Sequence, residues 1–159
     1  MNSSQLLAIA DLSSRFGKGL ASDAGSPEFC VSVGGKSRDL PPLVGDEVYQ
    51  IASEALRNAF RYAVARRIEV QIHYDNREFR LKVRDDGKGI DAMVLDAGGR
   101  AGHHGLPGMH ERAKLAGGKL TIWSAPDSGT AIELTIPAAL AYVKASPGAQ
   151  AGASGIGSK

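Results

Sequence analysis

The chain has 159 residues, 43% of them apolar and 23% charged, and a formal net charge of +2. These values suit one soluble globular domain with at most a small appendage. They argue against disorder throughout, against a basic-patch nucleic-acid binder (the longest basic cluster is Arg66-Arg67) and against a membrane-spanning helix, since no apolar run approaches about 18 residues.

Met1-Asn2-Ser3-Ser4 lacks the basic flank and apolar run of a secretory signal. The single cysteine, Cys30, rules out an internal disulfide, so a reducing, cytoplasmic compartment is expected. In residues 5–21, Leu6, Leu7, Ile9, Leu12, Phe16 and Leu20 recur at spacings that predict a mildly amphipathic helix, weakened at its end by Gly17 and Gly19. Glu28–Val33 alternates and predicts a short strand, ended by Gly34-Gly35. Pro41-Pro42 suits the start of a helix. Over 43–65, Val44, Val48, Ile51, Ala52, Ala55, Leu56, Ala59 and Ala63 share one helical face.

Ile68–Tyr74 and Phe79–Val83 alternate strictly around the turn residues 75–78 and predict a hairpin. Residues 85–104 are rich in Gly and Asp, with a short helical stretch near 92–95. Residues 106–116 predict a helix closed by Gly117-Gly118. Leu120–Trp123 and Ala131–Ile136 predict two more strands, and an Ala-rich helix is expected after Pro137, to about Lys144. Residues 146–159 are of low complexity and read as a flexible tail. The order predicts an α+β fold: a mostly antiparallel sheet with helices on one face.

Glycine is in surplus, at twenty residues against roughly 11 at average usage. Nine of the twenty lie between Gly87 and Gly118. Glycine is favoured where backbone must bend or approach a ligand closely.

Three segments around that cluster carry candidate chemistry. Glu54 and Asn58 stand four apart at one edge of the long helix's apolar face, and Tyr62 continues their column. An Asn oxygen suits a hydrated Mg²⁺, which keeps several waters and takes phosphate oxygens; a solvated polar edge is the competing reading. Asp85-Asp86-Gly87-Lys88-Gly89-Ile90 follows a strand. There Asp85 can accept a hydrogen bond from an exocyclic amine such as adenine N6, and Gly87 and Gly89 let backbone approach a flat ring. An ordinary Asp-Gly turn is the alternative.

Gly102-His103-His104-Gly105-Leu106-Pro107-Gly108-Met109 leads into a helix start, where N–H groups and the dipole attract phosphate. A flexible loop ending in a helix cap is the alternative. It is neither a Walker A loop nor a dinucleotide-binding crossover. Gly129-Thr130 offers a tight turn and a hydroxyl.

In order and separation, Glu54–Asn58, Asp85–Gly89 and Gly105–Gly108 resemble the N, G1 and G2 boxes of the histidine-kinase ATPase superfamily, with its Bergerat ATP-binding fold. The stretches VYQIASEALRNAFRYA, VRDDGKGI and GLPGMHERAKLAGGKLTIWSAPDSGTAIELTIP are similar to sensor histidine kinases that pair with helix-turn-helix response regulators. The resemblance covers roughly residues 28–137. It implies a two-layer α/β sandwich with a mixed sheet and three main helices. It also implies Mg²⁺ at Asn58, a catalytic Glu54 near a metal-bound water, and adenine at Asp85 with Gly87 and Gly89 shaping the pocket. Residues 91–104 become an ATP lid, and Gly105, Leu106 and Gly108 line its phosphate side. Tyr62, Ile90, His104 and Met109 border the ATP, and Thr130 supports the adenine end.

The same resemblance implies an organisation. Residues 1–25 are the remnant of, or linker from, an upstream dimerisation helix, 26–145 the ATP-binding catalytic domain, and 146–159 the tail. ATP and Mg²⁺ are the implied cofactors. The implied partners are the phosphoacceptor helices of the same sensor and a response-regulator receiver domain, without nucleic acid or direct membrane contact, the full-length sensor being membrane-anchored.

Two features depart from the family pattern. Of His73, His103, His104 and His110, only His110 precedes an acid, and it lies inside the predicted 106–116 helix. The turn Asp127-Ser128-Gly129-Thr130 has one glycine where the family has two. Three other readings compete: an ATPase of the gyrase, heat-shock chaperone or mismatch-repair kind, a serine kinase of the anti-sigma type, and a non-catalytic nucleotide-binding or docking module.

Overall fold

The computed structural model describes residues 9, 11, 27–90 and 105–144. The predictions for the remainder of 5–21, for 91–104 and for the tail lie outside the described residues. Ile9 is helical and fully buried in the common core.

The element order is β1 (Glu28–Gly34), α1 (Pro42–Tyr62), β2 (Arg67–Tyr74), β3 (Glu78–Asp85), α2 (Leu106–Leu115), β4 (Lys119–Ala125), β5 (Gly129–Pro137) and α3 (Ala138–Ala141). The five strands form one sheet in the order β1-β2-β3-β5-β4. Of the five strands only β1 and β2 pair in parallel, a pairing that needs the crossover α1 supplies; the other neighbours are antiparallel.

Alternation sorts the strand residues cleanly. Ile68, Val70, Ile72, Tyr74, Phe79, Leu81, Val83, Ile132, Leu134 and Ile136 are buried on the helix-covered face. Gln71, His73, Arg80, Arg84 and Trp123 stand exposed on the other. This is the two-layer α+β arrangement expected from the sequence.

α1 starts where two prolines predict it, with Pro42 in the first turn and the Gly45 N–H donating to the Pro41 carbonyl (2.9 Å). Seven of the eight periodic apolar positions lie in α1 and Ala63 caps it; all eight are buried. The helix stops at Tyr62, three residues short of the expected 65. Val64 adopts a left-handed φ of 51°, and the Ala63 carbonyl accepts the Lys88 N–H at 2.7 Å. A tertiary bond thus takes the place of the next helical one.

α2 ends as predicted. Gly117 is left-handed (φ 79°), its N–H reaches the Lys114 carbonyl at 2.9 Å, and the Gly118 N–H reaches Ala113 at 2.8 Å. It lies antiparallel to α1: Arg112 near its C-terminus pairs with Glu47 near the start of α1 (3.0 Å). α3 is a single turn rather than a helix to Lys144. Tyr142 turns extended so that its buried ring can stack on Tyr74 at 6.4 Å. Its hydroxyl meets the Asp75 N–H (3.0 Å) and the carbonyls of Asp75 (2.9 Å) and Glu78 (3.1 Å). Among the described residues, no helix is long and apolar enough to cross a membrane.

Candidate functional site

The inner face of the sheet is apolar except along its last row. Strand register aligns Val31, Val70, Val83, Ile132 and Ile122 in one row, and Phe29, Ile68, Asp85, Thr130 and Ser124 in the next. The last three residues make a polar corner where the sheet ends.

Asp85 is only 7% exposed. A carboxylate at such a place needs donors. It takes the Gly87 N–H at 2.9 Å and faces the Thr130 amide. Burial nevertheless dominates and pushes the Asp85 carboxyl above its ordinary range.

The loop after Asp85 is held on both sides. On the α1 side, Asp86 Oδ1 accepts the N–H groups of Arg66 (2.8 Å) and Arg67 (2.9 Å), which keeps its carboxyl below the usual range. Gly87 lies so close to the Ala63 carbonyl that a Cβ would collide with it. On the β4 side, the Asp127 N–H donates to the Lys88 carbonyl (2.9 Å) and the Ile90 N–H to Ser124 Oγ (2.7 Å). The loop therefore bridges the end of α1 and the β4–β5 turn.

Glu54 and Asn58 both sit half-buried on α1, one turn apart. Glu54 pairs with Arg57 at 3.0 Å. The antiparallel packing of α1 and α2 brings Glu54 against Gly105, where a Cβ would strike its carboxylate. So the first and third predicted segments meet.

Of the α2 start, Leu106 and Met109 are core residues by their side chains, each 1% exposed. What they bring to a site is backbone position. The Met109 N–H already bonds the Gly105 carbonyl (3.0 Å) and Pro107 has none, so the amides of Leu106 and Gly108 are those without a partner inside the helix. Gly108 faces open space. Tyr62 is the last residue of α1, and only its backbone is described. His104, with His103 and the expected lid 91–104, lies outside the described residues.

Glu54 and Asn58 supply hard oxygen donors. Among the described residues, no group of three or more His, Cys, Asp or Glu gathers to cage a metal. That donor set fits Mg²⁺, which binds through one or two side chains and completes its shell with water and phosphate. It does not fit a protein-only metal centre.

Two residues at or beside the corner have no role assigned from the sequence. Ser124 bonds Thr130 Oγ1 (2.9 Å) and the Gly129 carbonyl (3.1 Å) as well as Ile90. Its signal is a polar residue following Leu120 and Ile122 on the inward alternation of β4. Asp86 is the neighbour of the acid that the reading singles out, and its role depends on the distant Arg66-Arg67 backbone.

Residues 44–140 match the family described as histidine kinase-, DNA gyrase B-, and HSP90-like ATPase. Over 103 residues the chain is 33% identical to the signal transduction histidine-protein kinase/phosphatase DegS of Brevibacillus brevis, covering 65% of this chain and 26% of that protein. It is 37% identical over 94 residues to the sensor histidine kinase LiaS of Bacillus subtilis, covering 59% and 25%. The chain thus spans about a quarter of the length of these curated relatives. The histidine kinase domain of the blue-light activated histidine kinase of Erythrobacter litoralis shares the fold, with a TM-score of 0.62 and 22% identity over 82% of this chain and 63% of that one. The chain belongs to the histidine kinase-, DNA gyrase B- and HSP90-like ATPase family.

Proposed function

We propose that this chain binds Mg²⁺-ATP at the polar corner and presents its γ-phosphate to a histidine on a dimerisation helix of the same sensor. A response-regulator aspartate is the next acceptor, and the sensor's membrane anchor belongs to other segments. The observation that carries this reading is the meeting of three sequence-distant groups at one end of the molecule. These are the Glu54–Asn58 edge of α1, the buried Asp85 with its glycine loop, and the start of α2 against Glu54.

Each group has a distinct task. Asp85 accepts a hydrogen bond from the adenine amino group, and Gly87 and Gly89 keep side chains away from the ring. Asn58 offers its amide oxygen to Mg²⁺, and Glu54 orients a water near it. The amides at the start of α2 face the phosphates. When bound, Mg²⁺ would supply charge neutralisation at the phosphate oxygens. The protein's part is position and electrostatics.

Titration calorimetry of the chain with Mg²⁺-ATP tests this. Binding that needs Mg²⁺ and is lost in Asn58→Ala is expected; no Mg²⁺-dependent ATP or ADP binding up to about millimolar ligand would overturn it. With a dimerisation domain supplied, label from γ-phosphate should appear on histidine. Steady-state ATP hydrolysis abolished by Glu54→Ala, without transfer, would instead place the chain with the hydrolysing members of the family.

A further inference from the structure

We propose that Ser124 is a positioning residue that fixes Thr130 as a hydrogen-bond acceptor and so tunes the pocket to 6-amino rather than 6-oxo purines. The inference rests on the adenine reading of Asp85 given above. It concerns how the pocket discriminates between bases.

Ser124 Oγ has three partners: the Ile90 N–H at 2.7 Å, Thr130 Oγ1 at 2.9 Å and the Gly129 carbonyl at 3.1 Å. A serine hydroxyl has one proton and two lone pairs. The Ile90 N–H occupies one lone pair. The Gly129 carbonyl can only accept, so satisfying it uses the serine proton. The remaining contact is then a bond in which Thr130 O–H donates to the second lone pair of Ser124. This arrangement satisfies all three contacts with the Ile90 N–H and the two hydroxyl protons. The reverse, Ser124 donating to Thr130, leaves the Gly129 contact without a hydrogen.

The consequence falls on Thr130. Its proton is committed to Ser124, so Oγ1 has only lone pairs to offer elsewhere. Thr130 stands directly opposite Asp85 on the same face, is itself 7% exposed, and its amide faces the Asp85 carboxylate. The corner therefore presents two acceptors side by side. An amino group on the base satisfies them; a carbonyl oxygen in its place is repelled by both. A site built around matched donors and acceptors discriminates far better than one built on shape alone. Ser124 also ties Ile90, at the end of the glycine loop, to the same corner, so one hydroxyl holds both the loop and the threonine rotamer.

The test compares Mg²⁺-ATP with Mg²⁺-ITP, whose base carries a 6-oxo group and an N1–H in place of the 6-amino group and bare N1, on the full chain by titration calorimetry. Wild type should prefer ATP. Ser124→Ala frees the Thr130 proton to face the base, and the ATP-to-ITP preference should fall about tenfold, the size of one net hydrogen bond. Ser124→Thr retains the hydroxyl and should restore the preference. Thr130→Val removes the second acceptor, and the Thr130–Ser124 bond with it, while Ser124 keeps its contacts to the Ile90 N–H and the Gly129 carbonyl. It should show the same loss, and the double variant should lose no more than either single one.

A general loosening of the fold would weaken both nucleotides alike and leave the ratio intact, which would overturn the proposal. So would a ratio lost in Ser124→Ala but not recovered in Ser124→Thr, or additive losses in the double variant. If wild type binds neither nucleotide, the adenine reading itself fails; if it binds both equally, only the discrimination proposed here does.

Discussion

Asp85→Asn exchanges one carboxylate oxygen for an NH₂ group at the polar corner and separates two effects of the same side chain. In the wild type the ionised carboxylate can only accept. It already holds the Gly87 N–H at 2.9 Å and faces the Thr130 amide, and its remaining lone pairs are what an adenine amino group would use. In the variant the amide oxygen can keep the Gly87 bond, which turns the NH₂ toward the base and sets donor against donor. Losing a hydrogen bond to a charged acceptor costs about 1.5–3 kcal/mol, or roughly 10–150-fold in Kd for ATP. The donor clash favours the upper end.

Stability should move the other way. Burial raises the Asp85 carboxyl above its ordinary 3.8. A raised folded value means that the stability linked to this group is full below 3.8 and is lost as pH rises through the folded value. At neutral pH the fold therefore carries the cost of a buried charge, which asparagine removes. Thermal melts of Asp85→Asn at pH 7 should match or exceed wild type, and the difference should shrink toward pH 3.8. Calorimetric ATP affinity equal to wild type would take Asp85 away from the adenine. A variant several degrees less stable at neutral pH would refute the desolvation argument, whatever its affinity.

Gly129→Ala should cost more than about 2 kcal/mol. The residue sits at φ 89° and a Cβ there would collide with the Asp85 carbonyl, so an unshifted urea midpoint would contradict this geometry. Asp86→Ala should weaken the fold by about 1 kcal/mol and Asp86→Asn by much less, because a single oxygen takes both N–H groups. The Asp86 carboxyl lies below 3.8 when folded, so its contribution is present above that pH and lost as pH falls through the lower folded value; urea midpoints of Asp86→Ala against wild type should converge there. Tyr142→Phe should cost about 1–2 kcal/mol, read by thermal denaturation, with ATP affinity unchanged. A loss of affinity would mean that its hydroxyl anchor reaches further than the Asp75–Glu78 turn.

The long helix was legible because eight apolar positions at one spacing leave only one face to bury, and the structure buries all eight. Its end was not. Whether a helix continues past Tyr62 depends on where the Ala63 carbonyl finds its donor, and that donor, the Lys88 N–H, is remote in sequence. The same holds for α3, where Tyr142 leaves the helix to stack on Tyr74 and anchor the Asp75–Glu78 turn. Strand ends ran past the apolar alternation for a related reason: Glu78, Asp85 and Gly129 stay in the ladder through backbone pairing that side-chain pattern cannot register. Within the site, the spaced motifs named the residue types. That Gly105 abuts Glu54 follows only from how α1 and α2 pack. Ser124 could be placed beside Thr130 only once the β4–β5 register was known.

The position of the site follows from the packing of these elements. One row in from the corner, five apolar residues from five strands meet the helices. That row cannot admit a polar ligand without losing burial. At the last row the sheet runs out, and Asp85, Thr130 and Ser124 can be polar because each satisfies another. The same end receives two helices in opposite directions, as the Glu47–Arg112 pair at the far end and the Glu54–Gly105 contact at the near end require. α1 brings the negative half of its dipole here, with a carboxylate and an amide oxygen; α2 brings the positive start of its own. On the function proposed above, the α1 side would take the cation, the α2 start the anion and Asp85 the amino group. A magnesium nucleotide carries those three features in one molecule, linked in that proximity. Neither helix end nor the carboxylate pattern would select it alone; the antiparallel packing and the end of the sheet bring together the three groups on which the proposed function rests.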